Sequence, residues 1–175
     1  MENNIYNIRS LSPDEIECKV ATVKEGKGIT LLLYKTARTD IAILTETFGP
    51  MNWQCDYKEI KGNLYCGISV FDESKNTWIT KWDCGVESAF GDKEKGEASD
   101  ACKRSGFKWG IGIELYTAPF IWIPHTKCNI SNGKCYDKFA VEKILIKNHV
   151  IHGLSIINES NNGSRVFVWS HDKQN

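Results

Sequence analysis

The amino-acid sequence predicts a mixed α+β fold built on an antiparallel β-β-β-α core. Three segments rich in aromatic and β-branched residues follow one another between residues 53 and 86, separated by short polar turns that contain glycine or asparagine. A helical segment begins at Lys93. N-terminal helices and a strand are predicted to flank this core, and a C-terminal β-hairpin is predicted to follow it.

The length of the chain favours one compact domain with short appendages. A chain of 175 residues with 41% apolar content can bury one sizeable core and leaves little room for a second. We assign residues 1–125 to the core domain and residues 126–175 to a hairpin extension that packs on it. Because no run resembles a membrane span or a secretion signal, we expect a soluble protein of the cytoplasm.

Two segments before the core have helical signals, and one is typical of a strand. Ser12 can cap a short helix that begins at Pro13, with two acidic residues at its positive end. Residues 24–28 predict a loop, and the apolar run 29–34 predicts a buried strand. Apolar residues then recur at helical spacing over residues 36–48, before Gly49-Pro50.

The core consists of three predicted strands and a helix. We expect a helix over residues 93–109, capped by Asp92, whose small residues Ala98, Ala101, Cys102 and Ser105 form a stripe that can pack on the sheet. After Pro124, a polar loop precedes apolar, β-branched segments that predict the terminal hairpin. The predicted core strands are Trp53–Ile60, Leu64–Phe71 and Thr77–Val86.

Charge is balanced over the whole chain but is unevenly distributed. The 22 basic residues equal the 22 acidic ones. Residues 18–38 contain five basic residues and one acidic residue, and residues 101–113 contain three basic residues and no acidic one. Local basic patches of this kind can bind phosphates, although solvated surfaces also explain them.

The sequence offers little catalytic apparatus. Its seven cysteines are interpreted as reduced, buried thiols, because their number is odd and the chain has no export signal. The set His125, Cys128 and Cys135 lacks the paired spacing typical of structural zinc sites. No GxxxxGK[ST] phosphate loop is present. We therefore predict that the protein is not an enzyme and needs no metal or cofactor.

Four sequence blocks occur in an order that is typical of a known family. They are LSPDEIECK at residues 11–19, Tyr34, ETFG at 46–49 with Asn52-Trp53, and KGEASDACKR at 95–104 with Trp109-Gly110. Over residues 11–112 the chain resembles the annealing domain of the Rad-fifty-two superfamily. It is most similar to the short versions encoded by bacterial viruses and prophages.

The resemblance implies a function in DNA recombination and repair. Proteins of this family assemble into rings or helical filaments, so we expect a homo-oligomer. They bind single-stranded DNA in a basic groove and anneal complementary strands without ATP. The resemblance also implies a partner exonuclease and a single-strand-binding protein in the host bacterial cell.

Individual residues match the family's groove. Lys19 falls at a basic groove position, Lys103 and Arg104 match a basic pair on the core helix, and Tyr34 matches an aromatic residue near the groove. Where the family often has another basic residue, this chain has Phe107, and Lys108 is a substitute for it. The DNA-binding residues expected here are Lys19, Tyr34, Lys35, Arg38, Lys103, Arg104 and Lys108.

Other interpretations of these features stay open. The basic residues are also consistent with solvated surfaces, although the resemblance favours the groove, and Tyr34 is equally consistent with packing in the core or at an interface. Tryptophans in the core are interpreted as packing residues rather than stacking platforms; they are Trp53, Trp78, Trp82 and Trp109. Two rival functions are a double-stranded-nucleic-acid-binding module and a structural oligomer that binds no DNA.

Overall fold

A computed structural model describes residues 8–87 and 92–171. The strands within these ranges are β1 (Glu17–Lys24), β2 (Gly28–Tyr34), β3 (Trp53–Ile60), β4 (Asn63–Asp72), β5 (Thr77–Cys84), β6 (Ile121–Pro124), β7 (Ile130–Ser131), β8 (Lys134–Cys135), β9 (Phe139–Lys147), β10 (Val150–Asn158) and β11 (Ser164–Ser170). The helices are α1 (Ala37–Phe48) and α2 (Lys93–Lys108). Together they confirm the predicted α+β class.

Four short 3-10 turns complete the secondary structure of the described ranges. They are Pro13–Glu15, Ile113–Thr117, His125–Lys127 and Glu159–Asn161. No helix in residues 8–87 or 92–171 has the length and apolar character needed to cross a membrane.

The described residues form two compact units. Unit 1 contains Ile8, Arg9 and Thr36–Gly112, and unit 2 contains Ser10–Lys35 and residues 113–171. Both units therefore draw on segments that are distant in the sequence. The predicted domains, residues 1–125 and 126–175, stay a prediction.

Unit 1 contains the predicted β-β-β-α arrangement. Strands β3, β4 and β5 form an antiparallel sheet in that order, with β4 in the centre. Alternate residues of β4 point to opposite faces of the sheet, so Cys66, Ile68 and Val70 share one face. These three side chains are buried, and this is the face on which α2 packs.

Small residues allow α2 to approach the sheet closely. Ala101, Cys102 and Ser105 are buried, and the Ser105 hydroxyl donates a hydrogen bond to the Lys81 carbonyl oxygen at 2.7 Å. The Trp109 indole N–H donates to the Ile68 carbonyl at 3.0 Å. At the other end of α2, the Asp92 side chain accepts from the backbone N–H of Lys95. The predicted cap and the packing of these small residues are confirmed.

Unit 2 contains a six-stranded antiparallel sheet that is nearly closed. Its strand order is β11-β10-β9-β1-β2-β6, and the outer strands β11 and β6 lie near one another. A β-bulge between Val20 and Thr22 shifts the register of β1 against β2. The buried apolar residues of the unit 2 sheet include Ile29, Leu31, Ile123, Leu154 and Ile156.

The structure differs from the prediction at both ends of the described chain. The helix predicted after Ser12 is a single 3-10 turn, and Glu15 Oε2 accepts from the Ser12 N–H at 2.9 Å. The chain then enters β1, where half-buried residues alternate with exposed ones. The segment predicted as a terminal hairpin contains three strands, β9 to β11, because residues 139–157 divide at the Asn148-His149 turn.

Candidate nucleic-acid interface

Two cations of α2 converge on the edge strand of the unit 1 sheet. The Arg104 Nε lies 3.3 Å from Asp83 Oδ1, and the Lys108 Nζ lies 3.4 Å from Asp83 Oδ2. Lys108 also donates a hydrogen bond to the carbonyl oxygen of Trp82. Because residues 104 and 108 are one helical turn apart, they occupy the same side of α2. Asp83 of strand β5 therefore orients both cations.

Lys81 adds a third positive charge at this edge. Its ammonium donates to the Lys108 carbonyl oxygen at 2.8 Å and lies 4.3 Å from the centre of the Trp109 ring. We call Lys81, Arg104 and Lys108 the cationic edge. Its three positive charges exceed the negative charges of Asp83 and of Asp100, which also acts on Arg104, so the local charge favours an anion. Lys103 lies on the same helix, with its ammonium 3.7 Å from Asp100 Oδ1.

The opposite face of the same sheet carries aromatic residues. The strand register places Trp82 directly across from Gly67 and Trp78 across from Phe71. The Phe71 and Trp78 rings meet edge to face with centres 5.4 Å apart, and Trp78 is 41% exposed. Tyr65 and Trp82 are half-buried. We call this surface the aromatic face; its members are Tyr65, Phe71, Trp78 and Trp82.

A lysine also lies on the aromatic face. The Lys58 ammonium is 4.6 Å from the centre of the Trp82 ring, a cation–π arrangement. Aromatic rings stack on bases of any sequence, and nearby cations neutralise phosphates. Strand β5 thus presents rings on one face and the cationic edge on the other. The arrangement suits a flexible, single-stranded nucleic acid whose bases are unpaired.

The predicted DNA-binding residues of unit 2 include two on one hairpin. Lys19 is exposed on β1, and Tyr34 lies opposite Glu17 at the end of β2. The Tyr34 hydroxyl donates to the Glu17 carboxylate. Burial and this neighbouring carboxylate raise the pKa of Tyr34 to about 12. Tyr34 therefore keeps its proton and its hydrogen bond to Glu17. The Glu17 carboxylate also lies two residues from Lys19 on β1, where it adds negative charge.

Lys35 and Arg38 occupy contrasting environments. Lys35 is 1% exposed, so a phosphate reaches its ammonium only if surrounding residues move. Arg38 is exposed on α1 of unit 1. The structure thus groups Lys103, Arg104 and Lys108 on one helix, and groups Lys19 with Tyr34 on one hairpin. Whether any of the seven binds DNA stays a prediction.

Unit 2 also contains an open pocket with a negative lining. Its volume is about 820 Å³, and it lies between the turn before β1 and the strands β9 and β10. Negative charge of this density repels phosphates, so we do not assign DNA to this pocket. Its acidic and basic lining residues are the carboxylates Asp14, Glu17, Asp137, Glu142 and Glu159 together with Lys138.

Sequence reasoning does not identify Lys81 as part of the candidate interface. Trp78 and Trp82, which the sequence predicts to be packing residues, do pack against Phe71 and Gly67, and a role in base stacking stays a prediction. The alternation of Trp78, Thr80 and Trp82 with Ile79, Lys81 and Asp83 is the signal that assigns rings and charges to opposite faces of β5. That signal becomes informative only once α2 is known to cover a single face.

Among the described residues, the potential metal ligands that lie close together are Cys55, Cys66 and Cys102, and not the set His125, Cys128 and Cys135 that the sequence offers.

Searches against models of protein families, curated proteins and solved structures found no match.

Proposed function

We propose that this protein binds single-stranded DNA and anneals complementary strands without ATP. One observation carries the proposal: strand β5 combines the aromatic rings of Trp78 and Trp82 on one face with the cationic edge on the other. A single strand that follows this edge can stack bases on the rings and place phosphates near the cations. The sequence resemblance independently favours the same function.

The contacts expected here suit annealing. Phosphate contacts and aromatic stacking are indifferent to sequence, so base identity is left to be read by the incoming strand. Asp83 offsets one of the cations at the edge, which keeps each single site weak. Weak sites allow the duplex product to leave, and repetition of the site in an oligomer restores overall affinity.

The protein is proposed to act as a homo-oligomeric ring or filament in recombination and repair. Its cellular setting would be the cytoplasm of a bacterial cell, alongside an exonuclease and a single-strand-binding protein. An assembly is consistent with a sheet whose outer strands β3 and β5 each pair with β4 alone among the described residues, which leaves one edge of each strand without a strand partner there. The mass of the assembly, measured by sedimentation with and without single-stranded DNA, tests this part. A monomeric mass at micromolar concentration in both samples would contradict it.

A competition experiment tests the nucleic-acid specificity. The full chain is bound to a labelled single-stranded oligonucleotide and challenged with equal masses of single-stranded DNA, duplex DNA and duplex RNA. We expect single-stranded DNA to compete best, because the bases of a duplex are already stacked. Stronger competition by either duplex would favour a shape-reading module. Absence of binding at low salt would favour a purely structural oligomer.

A further inference from the structure

Three cysteines from three different elements of unit 1 converge on one point. Cys55 lies on β3, Cys66 on β4 and Cys102 on α2, and their sulfur atoms all lie within 4.8 Å of one another. The Sγ atoms of Cys55 and Cys66 are 3.3 Å apart. Cys66 and Cys102 are buried, whereas Cys55 is partly exposed. The cluster therefore lies between the sheet and α2, with one side accessible from solvent.

The spacing fits a metal better than a disulfide. A metal ion about 2.3 Å from each thiolate holds two sulfurs roughly 3.8 Å apart, a value between the 3.3 Å that separates Cys55 from Cys66 and the 4.8 Å within which all three sulfurs lie. A disulfide needs a sulfur separation of about 2.05 Å and suitably placed Cα atoms. Cys55 lies opposite Ile68 and Cys66 opposite Tyr57, so the two cysteines are diagonal neighbours across the strands. Diagonal residues are usually too far apart for that bond.

Sulfur ligands bind metals as thiolates. A bound cation displaces the thiol protons into solvent; Zn²⁺ then offsets two of the three thiolate charges and Cu⁺ offsets one, and the remaining negative charge lies in a cluster that Cys55 keeps partly open to solvent.

We propose that Cys55, Cys66 and Cys102 form a three-thiolate site for one thiophilic metal ion, Zn²⁺ or Cu⁺, that joins α2 to the sheet. Thiolates select soft and borderline cations over Mg²⁺ and Ca²⁺. A Cu⁺ ion is satisfied by three thiolates, whereas Zn²⁺ takes a fourth ligand. The Tyr57 oxygen or a water molecule can serve as that ligand, because Cys55 and Tyr57 lie on the accessible side.

The site has a structural consequence for α2. That helix carries Arg104 and Lys108, so a metal at Cys102 would hold the cationic edge in position. The ion is not needed for the contacts with DNA themselves. Metal binding and DNA binding can therefore fail separately, and loss of one does not decide the other.

Metal titration of the reduced full chain tests the proposal. Zn²⁺ and Cu⁺ are titrated separately against a chromophoric competitor, and Co²⁺ serves as a spectroscopic probe of thiolate coordination. We expect one ion per chain and sulfur-to-cobalt charge-transfer absorption. Cys102→Ser should weaken binding by at least about 100-fold, since it removes a direct ligand. Cys55→Ser on edge strand β3 repeats the test if Cys102→Ser does not fold.

Cys84→Ser is the matched control. Cys84 belongs to the same unit, but it lies opposite Tyr65 on the other face of the sheet, so its replacement should leave the affinity unchanged.

Tyr57→Phe tests the fourth ligand. It should weaken the binding of Zn²⁺ but not of Cu⁺ if the tyrosine is that ligand, whereas an unchanged Zn²⁺ affinity assigns the position to water. The proposal is overturned if the wild-type chain binds neither ion, if Cys55→Ser and Cys102→Ser bind as tightly as wild type, or if Cys55 and Cys66 are joined by a disulfide in the protein isolated under reducing conditions.

Discussion

The indole ring of Trp82 lies directly against Gly67 on the neighbouring strand. A Cβ atom at residue 67 would be 2.5 Å from Trp82 Cε2, closer than real contacts allow. Glycine normally weakens a strand, and its presence in β4 is explained by this close approach. The pair thus holds the Trp82 ring on the aromatic face with the Lys58 ammonium over it, and a base can stack on the ring once Lys58 moves aside.

Replacing Trp82 should weaken binding of single-stranded DNA. Loss of one stacking platform costs about 1–3 kcal/mol, so Trp82→Ala should reduce affinity by roughly 5- to 150-fold. Gly67→Ala should act in the same direction, because the added methyl group displaces the ring. Fluorescence anisotropy with a labelled oligonucleotide measures both. Tyr136→Ala, which removes an exposed aromatic residue of unit 2, is the control; an equal loss there would show that Trp82 has no special role.

Removing the negative charge of Asp83 should strengthen binding. Asp83→Asn releases Arg104 and Lys108 from their ion pairs, while the amide oxygen can still accept the Cys84 N–H, now 2.8 Å from Oδ1. We expect affinity to rise about fivefold, the effect of roughly 1 kcal/mol. Salt dependence should also become steeper. Weaker binding by this variant would mean that Asp83 acts by holding the two cations in place.

Removing two cations of α2 should weaken binding equally for all sequences. If Lys103 and Arg104 contact phosphates, Lys103→Ala with Arg104→Ala should lower the slope of log affinity against log salt by about 0.7 per lost contact. Lys19→Ala should act in the same direction. Lys173 lies outside the described residues, and Lys173→Ala, which removes one positive charge as Lys19→Ala does, serves as the control. A salt titration that leaves both affinity and slope unchanged in the double variant would remove these residues from the site.

The Glu142–Arg165 pair should make stability depend on acidity. Arg165 Nε donates to Glu142 Oε2 at 2.6 Å, and this contact lowers the pKa of Glu142 from 4.5 to about 2. Because the folded pKa lies below the ordinary value, the contribution is full above pH 4.5 and is lost as the pH falls through about 2. Denaturant unfolding should therefore show a stability gap between wild type and Glu142→Gln that narrows on acidification. A gap that is constant with pH would contradict this; Glu59→Gln, at an exposed site of unit 1, is the control.

The core of unit 1 could be predicted because its local signals agree with its packing. Trp53–Ile60 begins and ends as predicted, and Gly49, with a φ of 79°, ends α1 where a left-handed residue is needed. Around Ser12 the signals conflict. The Ser12 cap, Pro13 and the two acidic residues favour a helix, but the alternation of Cys18 and Val20 with exposed neighbours favours a strand. The sheet partner β2 decides in favour of the strand.

Unit 2 depends on contacts that no local pattern records. Pairing of β1 with β9 joins Glu17 to Ala140, and pairing of β2 with β6 joins Gly28 to Pro124. Such distant pairings are set by tertiary packing rather than by propensity. The candidate interface was only partly predictable, because some of its contacts also depend on tertiary packing. The basic pair at residues 103 and 104 is visible in sequence, but the pairing of Arg104 with Asp83 requires the fold.

Annealing itself tests the central claim most directly. Two complementary oligonucleotides carrying a donor and an acceptor dye are mixed with the full chain, without nucleotide, and energy transfer is followed over time. We expect the protein to accelerate pairing, with a smaller acceleration for Trp82→Ala and for the Lys103→Ala, Arg104→Ala double variant. Pairing no faster than that of the oligonucleotides alone, under salt conditions where the protein binds them, would contradict the proposed function.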